Sequence, residues 1–264
     1  ELLIPDNGPA RVMVAVDDGL LRAEPWLAGQ IEKFFTSRAG RIVQVVPPVV
    51  VPGGEVCKNE RAVLDSLLST MHRARLCRRS YVLVVGGGAV LDVVGFAAAI
   101  FHRGVRLVRI PSTTLAQADS GVGVKNAVNA FDTKNLVGAF SPPWAVVNDE
   151  RLLSSLSDEC WRDGFAEAVK VAMLKDPALY RTIRELAPRL RERDMPAAIP
   201  VIRRSAVLHL GNERHPLSAG AYVCFPAGQA VGHHLENGGS EPFVYLIVGE
   251  RIEGDQVTYP DGAA

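Results

Sequence analysis

Residues 81–100 read YVLVVGGGAVLDVVGFAAAI. Tyr81–Val85 is an unbroken apolar run of strand length, the pattern of a strand buried on both faces. It runs straight into Gly86-Gly87-Gly88, and a helix follows from about Val90 to Ile100. Glycines between a strand and a helix let the backbone approach a pyrophosphate. The helix start then offers free N–H groups and the positive end of its dipole. The same glycines also suit a tight turn with no ligand, so alone they leave both readings open. Asp92, one turn into the helix, is placed either for a ribose hydroxyl or as a favourable charge in the first turn.

The flanking segments extend the pattern. Arg11–Val16 is a short apolar strand ending in Asp17-Asp18-Gly19, and Pro25–Phe35 has helical character. Arg41–Val51 is a valine-rich strand that gives out at Pro47-Pro48, with a turn at Pro52–Glu55. Glu60–Arg75 spaces Val63, Leu64, Leu67, Leu68 and Met71 as one face of an amphipathic helix. Val105–Ile110 is another strand, closed by Pro111. Strands alternating with helices argue for a parallel sheet with helices on its faces. Ser112–Ser141 reads as a long polar connection of weak periodicity, which inside a domain is usually functional. Trp144–Val147 is short and extended. Leu152–Glu159, Gly164–Met173, Pro177–Leu190 and Pro196–Leu210 read as helices. The expected organisation is an α/β N-terminal domain, residues 1–149, with a parallel Rossmann-like sheet, plus an α-helical C-terminal domain, residues 150–264. Beyond Gly211 the pattern fades into frequent Pro, Gly and Asn.

Composition narrows the partners. The 264 residues carry no formal net charge and are 48% hydrophobic. Balanced charge gives no general attraction to nucleic acid or to an anionic membrane, so any phosphate binding must be local. Cys57, Cys77, Cys160 and Cys224 are scattered, without a CxxC pair, which fits reduced thiols. No apolar run is long enough to span a bilayer, and no leader is evident. The expectation is a cytoplasmic, soluble protein.

Three further segments carry candidate chemistry. Pro111–Asn135 gathers Asp119, Lys125, Asn129, Lys134 and Asn135 among small residues. Two lysines there can meet a phosphorylated substrate, or the stretch is a solvated loop. Glu167 and Lys170 are three apart on an expected helix, suited to a surface ion pair or to a site. His233 and His234 lie in Gly228–Glu236, GQAVGHHLE, as ligands, acid–base groups or solvent-exposed side chains.

Taken in order, these segments resemble the dehydroquinate synthase-like sugar phosphate cyclases. The matching stretches are Pro52–Lys58, Gly86–Asp92, Arg103-Gly104, Pro111–Asn129, Lys134–Phe140 and Ala166–Lys170. The wording PGGEVCKN, GGGAVLDVVG and VIRRSAVLHL is similar to the cyclases that make valiolone-type cyclitols from sedoheptulose 7-phosphate, in secondary metabolism. The resemblance implies NAD as cofactor, held by Asp17, Glu55, Lys58, Gly87, Gly88, Asp92, Thr113, Thr114 and Lys134. It implies a phosphorylated sugar substrate bound by Arg103, Asp119, Lys125 and Asn135. Asp119, Lys125, Lys170 and His233 are implied in catalysis, Glu167 in binding a divalent metal (zinc or cobalt), and the assembly is implied to be a homodimer.

The match departs from the family where its two metal-binding histidines should stand. Gln229 and Pro242 occupy those places. A proline cannot bind a metal, and an amide is a poor ligand beside imidazole. Two explanations follow. Either the metal-binding histidines belong to further segments of a longer chain, or the chain is a homologue that keeps NAD binding and has lost cyclase activity. A dehydroquinate synthase proper, acting on DAHP, is the nearest enzymatic alternative. An iron- or zinc-dependent alcohol dehydrogenase of related fold is disfavoured by the AE-x-x-K and KN motifs.

Overall fold

A computed structural model describes residues 3, 8–121, 123–175, 177–203, 206–210, 213–217 and 233–236. Its centre is β1 (Ala10–Asp17), whose residues from Val12 to Val16 have no solvent exposure. Alternation splits them between two cores. Val12, Val14 and Val16 pack with Leu27, Ile31 and Phe35 of α2 (Trp26–Thr36), while Met13 and Ala15 face the opposite side. That second side is covered by α4 (Arg61–Arg73) and α5 (Gly88–Ile100) through Leu64, Leu67, Met71, Val90, Val93 and Val94. Burial on both faces explains why the central strands read as continuous apolar runs.

Among the described residues the main sheet has six strands, all parallel. β1 pairs with β2 (Ile42–Gln44) and β3 (Val49–Val51) on one side and with β4 (Tyr81–Gly86) on the other. β5 (Arg106–Pro111) follows β4, and the short β8 (Ala145–Val146) closes that edge. The single strand expected over Arg41–Val51 is therefore two pieces on the same partner. Pro47 and Pro48 lie in the gap between them, where the missing N–H groups cost no ladder bonds.

Three other expectations are corrected. The polar stretch from Ser112 to Ser141 carries regular elements: a π-helical turn at Ala116–Ser120 precedes an antiparallel hairpin, β6 (Lys125–Ala130) and β7 (Thr133–Phe140). Its periodicity is weak because β7 is exposed almost throughout, so no face is selected for apolar residues. The helix expected over Leu152–Glu159 is a 3-10 turn at Glu150–Leu153 followed by the start of α6 (Asp158–Lys175). The last expected helix stops early. α7 (Pro177–Arg191) and α8 (Met195–Arg203) form, but Ala206–Leu210 is strand β9, flanked by β10 (Glu213–Leu217) and β11 (His233–Glu236) in an antiparallel sheet. AVLHL is a short apolar run, and periodicity alone does not separate strand from helix at that length. Helices α6–α8 bury their own cluster, including Trp161, Phe165, Leu179, Ile183 and Leu190. Among the described residues, no helix is long and apolar enough to cross a membrane.

Candidate functional site

Parallel register aligns the strand ends. Asp17 lies opposite Val51, and Gly86 opposite Pro111, so the turns after β1, β3, β4 and β5 share one edge. The chain grows the sheet outward from β1 to β2 and β3, then returns to place β4 on the other side of β1. In open α/β sheets the crevice at such a reversal, outside the carboxyl ends of the strands, is where ligands bind.

Asp17 stands on one wall of this crevice. Its Oδ1 accepts the N–H groups of Gly19 (2.8 Å) and Leu20 (3.1 Å), capping α1 (Asp18–Ala23). Asp18 Oδ1 accepts the N–H of Gly53 (2.8 Å), tying the turn after β3 to the end of β1. Arg22 first, and that Gly53 bond second, hold the Asp18 carboxyl below the usual range. The glycine turn lies directly beside it on the same edge. A Cβ on Gly86 would lie 3.0 Å from Asp17 Cβ, one on Gly87 3.3 Å from Thr113 Cγ2, and one on Gly88 2.8 Å from Ser120 Oγ. Neighbours therefore crowd the whole turn, most firmly at Gly86, and the turn presents bare backbone. Gly87 caps α5 with no side-chain hydrogen bond, so the first N–H groups of that helix keep their need for an acceptor. An anionic pyrophosphate fits that need.

Behind the turn lies a polar network. Lys58, at 5% exposure, donates to Asp92 Oδ2 (2.8 Å) and to Asn135 Oδ1. It comes from α3 (Val56–Asn59), Asp92 from α5, and Asn135 from β7. Desolvation pushes the Asp92 carboxyl up, and Lys58 partly opposes it. Asn129 of β6 donates to Glu55 Oε1 (2.8 Å) and Asn59 Oδ1 (2.7 Å), and its own Oδ1 accepts the N–H of Asn135 (2.8 Å). The hairpin is thus latched onto α3 by side chains that sequence reasoning only partly singled out. Cys57 is buried beside Lys58, and burial pushes its thiol up to about 12. Cys57, Cys77 and Cys160 are free thiols.

A second polar group lies beyond Thr113. Thr113 Oγ1 accepts the N–H of Ala116 (3.1 Å), while Thr114 is buried and turned away from the glycine turn. Its hydroxyl lies within hydrogen-bonding distance of the Cys160 and Trp161 carbonyls at the start of α6 (2.9 and 3.0 Å). Close packing of Gly164 on the Thr114 backbone strengthens that joint: a Cβ on Gly164 would fall 2.4 Å from it. The joint brings α6 against the π-helical turn. Asp119 is exposed, yet partial desolvation is the largest influence raising its carboxyl, followed by the charge of Glu167. Lys125 and Lys170 act in the opposite sense. Asp119, Lys125, Glu167 and Lys170 therefore form one electrostatic group, within which Lys170 donates to Glu167 Oε1 at 3.0 Å.

The other expected site residues fall elsewhere. Arg103 is exposed in a 3-10 turn after the C-terminal end of α5. That 13-residue helix is about 20 Å long, so within one chain Arg103 lies far from Gly87. Lys134 is exposed on β7. His233 opens β11, opposite Leu210, in the separate antiparallel sheet. Gln229 and Pro242 lie outside the described residues. Among the described residues, no three His, Cys, Asp or Glu are grouped to hold a metal, so Glu167 alone does not constitute a metal site. Sequence reasoning missed Arg109 and Asn126, both buried under this group. The available signal was a second arginine, Arg109, set within the apolar part of the strand RLVRIP after Arg106 has opened it.

Comparison with known proteins places this arrangement. Residues 48–163 match the family model for the 3-dehydroquinate synthase N-terminal domain. The 3-dehydroquinate synthase of Nitrosospira multiformis is 37% identical over 195 residues, covering 72% of this chain and 52% of that protein. That of Paracoccus denitrificans is 34% identical over 243 residues, covering 90% and 62%.

The chain belongs to the dehydroquinate synthase-like sugar phosphate cyclases.

It spans about half the length of the first of these relatives. Among solved structures of this family, the 2-epi-5-epi-valiolone synthase of Streptomyces hygroscopicus subsp. jinggangensis, with NAD+ and Zn2+ bound, superposes with a TM-score of 0.67 at 28% identity. The match covers 77% of this chain and 56% of that one. A 2-deoxy-scyllo-inosose synthase complexed with carbaglucose-6-phosphate, NAD+ and Co2+ gives 0.53 at 30% identity, covering 63% and 44%. Escherichia coli YqhD, at 15% identity and a TM-score of 0.52, shares the fold alone. The α/β domain with its parallel sheet, followed by helices, is thus the fold of the sugar phosphate cyclases.

Proposed function

We propose that this chain is the dinucleotide-binding part, with a portion of the substrate site, of an NAD-dependent sugar phosphate cyclase. One observation carries the reading. The uncapped start of α5, walled by Asp17 and Thr113, opens on the same strand edge as the group Asp119, Lys125, Glu167 and Lys170. A cofactor and an anionic sugar laid along that edge would meet.

In this reading Gly87 and Gly88 present backbone to the pyrophosphate, and Asp92, neutralised by Lys58, receives a ribose hydroxyl. Asp17 and Glu55 hold the adenosine end. Bound NAD supplies a hydride acceptor for transient oxidation of a substrate hydroxyl. Lys125 and Lys170 attract and orient the anionic substrate. Asp119, an exposed carboxyl raised by partial desolvation and by the charge of Glu167, is the group suited to take and return a proton at its Oδ atoms. The described residues do not fit a metal, and no step is routed through one.

The favoured substrate is a phosphorylated ketose, sedoheptulose 7-phosphate, closed to a carbocycle with elimination of phosphate. The valiolone synthase supports this by the larger shared fold. Dehydroquinate synthase activity is the second reading, supported by identities of 34–37% to enzymes of that name. A homodimer and a cytoplasmic location belong to the same proposal. The test is phosphate release from sedoheptulose 7-phosphate and from DAHP, with NAD and added zinc or cobalt, alongside a calorimetric NAD titration. Release from the first alone supports the favoured substrate. NAD binding without release from either leaves a cofactor-binding homologue, and no NAD binding removes the whole reading.

A further inference from the structure

Arg109 sits in the middle of β5 with no exposed surface. A guanidinium there is costly unless its donors find acceptors. Nε finds none among the described residues, and the acceptors of the two Nη groups come from one place. Nη1 donates to the carbonyls of Gly121 (3.1 Å) and Gly123 (2.6 Å), and Nη2 to the Lys125 carbonyl (3.2 Å) and Asn126 Oδ1 (2.6 Å). Asn126, at 1% exposure, carries the tie onward: its Nδ2 donates to the carbonyls of Val124 (3.1 Å) and Ser141 (3.0 Å), across the base of the hairpin.

Both side chains rest on α5. A Cβ on Gly95 would lie 1.9 Å from Asn126 Oδ1 and 3.3 Å from Arg109 Nη2. The helix that begins at the glycine turn, the strand that leads to Thr113, and the segment that carries Lys125 meet here with no room for a methyl group.

We infer that Arg109 and Asn126, seated on Gly95, form a positioning clamp that sets the backbone bearing Lys125 relative to Asp119. The inference rests on the proposed reading that Lys125 meets the substrate. Connectivity is its main support. The chain leaves β5, makes the turn holding Asp119, and returns at Lys125, and the clamp closes this loop onto the strand it left. An apolar side chain would fill the strand without desolvating a charge. It would also leave three loop carbonyls and the Asn126 amide oxygen without this donor. The guanidinium remains cationic, because burial lowers it only to about 10.

The test uses the full chain with NAD present and the variants Arg109→Gln, Arg109→Lys and Gly95→Ala. Three quantities are read: amide hydrogen exchange in peptides covering residues 121–126, NAD affinity by calorimetry, and kcat and KM with the phosphorylated ketose. Exchange is expected to rise in that segment in all three variants, with NAD affinity unchanged. The turnover number should fall about a hundredfold, as misplacement of a reacting group by about 1 Å does, with KM less affected and Arg109→Lys recovering part of the loss. Gly95→Ala is the sharper probe, since alanine is the better helix former and a helix-only role would leave it neutral or stabilised. Wild-type exchange in residues 121–126 overturns the clamp. Loss of NAD affinity in step with kcat, with faster exchange throughout, overturns it in favour of general stabilisation. Should Arg109→Gln not fold, the other two variants decide. If the wild-type protein releases no phosphate, the cyclase reading fails by itself and hydrogen exchange still judges the clamp.

Discussion

The ammonium of Lys58 lies 2.8 Å from the Asp92 carboxylate, a charge pair between α3 and α5 with exposures of 5% and 20%. It sits one helical turn behind the glycine turn. Removing one member of such a pair leaves the other charge poorly solvated.

Lys58→Met should therefore destabilise the protein by about 3 kcal/mol, the lower end for a broken buried pair. The loss should depend on pH. Asp92 is already raised by desolvation, and Lys58 pulls it back. A carboxyl raised on folding contributes stability below its unfolded value and loses it as pH rises through the folded one. Without Lys58 the raise is larger, so the drop in Tm should be greater at pH 8 than at pH 5. Thermal melts of both proteins across that range check it, and a pH-independent difference would remove Asp92 from the explanation.

Gly88→Ala places a methyl 2.8 Å from the Ser120 hydroxyl. Helix propensity alone would favour the change. Either the Ser120 side chain or the turn must shift, and the methyl covers the helix N-terminus, so NAD affinity is expected to fall about tenfold, which is about 1.4 kcal/mol. Calorimetric titration reads this directly, and undiminished affinity would exclude the turn from the cofactor site.

Lys125→Ala should abolish phosphate release while leaving NAD affinity alone, because Lys125 lies with Asp119 and Lys170 and outside the Lys58–Asp92 network. Turnover at the wild-type rate in this variant would take Lys125 out of the mechanism.

Thr114→Val keeps the shape of a buried side chain and removes its hydrogen bonding to the Cys160 and Trp161 carbonyls. A cost of about 1 kcal/mol is expected, seen as a lower Tm. The cofactor reading of Thr114 predicts instead a loss of NAD affinity with unchanged stability, so measuring both separates the two roles.

The strands of the main sheet were legible because burial on both faces demands apolar runs. Gly86–Gly88 was legible as the turn between a strand and a helix, with a ligand-binding and a plain-turn reading both open. Lys58, Asp92, Asp119 and Lys125 were singled out as candidates by their motifs. Their grouping was not readable, because Lys58 meets Asn135 across 77 residues of chain. The hairpin was missed because exposure on β7 erases the alternation by which strands are recognised. Thr114 reads in sequence as the twin of Thr113, and only packing against Gly164 turns it to α6.

The sequence by itself determined which segments are strands and helices of a parallel sheet, and which family their ordered motifs signify. Local patterns of burial and turn chemistry carry that information. Tertiary structure alone decided that Asp17 faces Gly86, that Asp119 feels Glu167, and that Arg109 holds the segment of Lys125. The physical reason is distance along the chain. Electrostatic influence and close packing depend on separation in space, and that separation is set by strand order, which no local pattern contains.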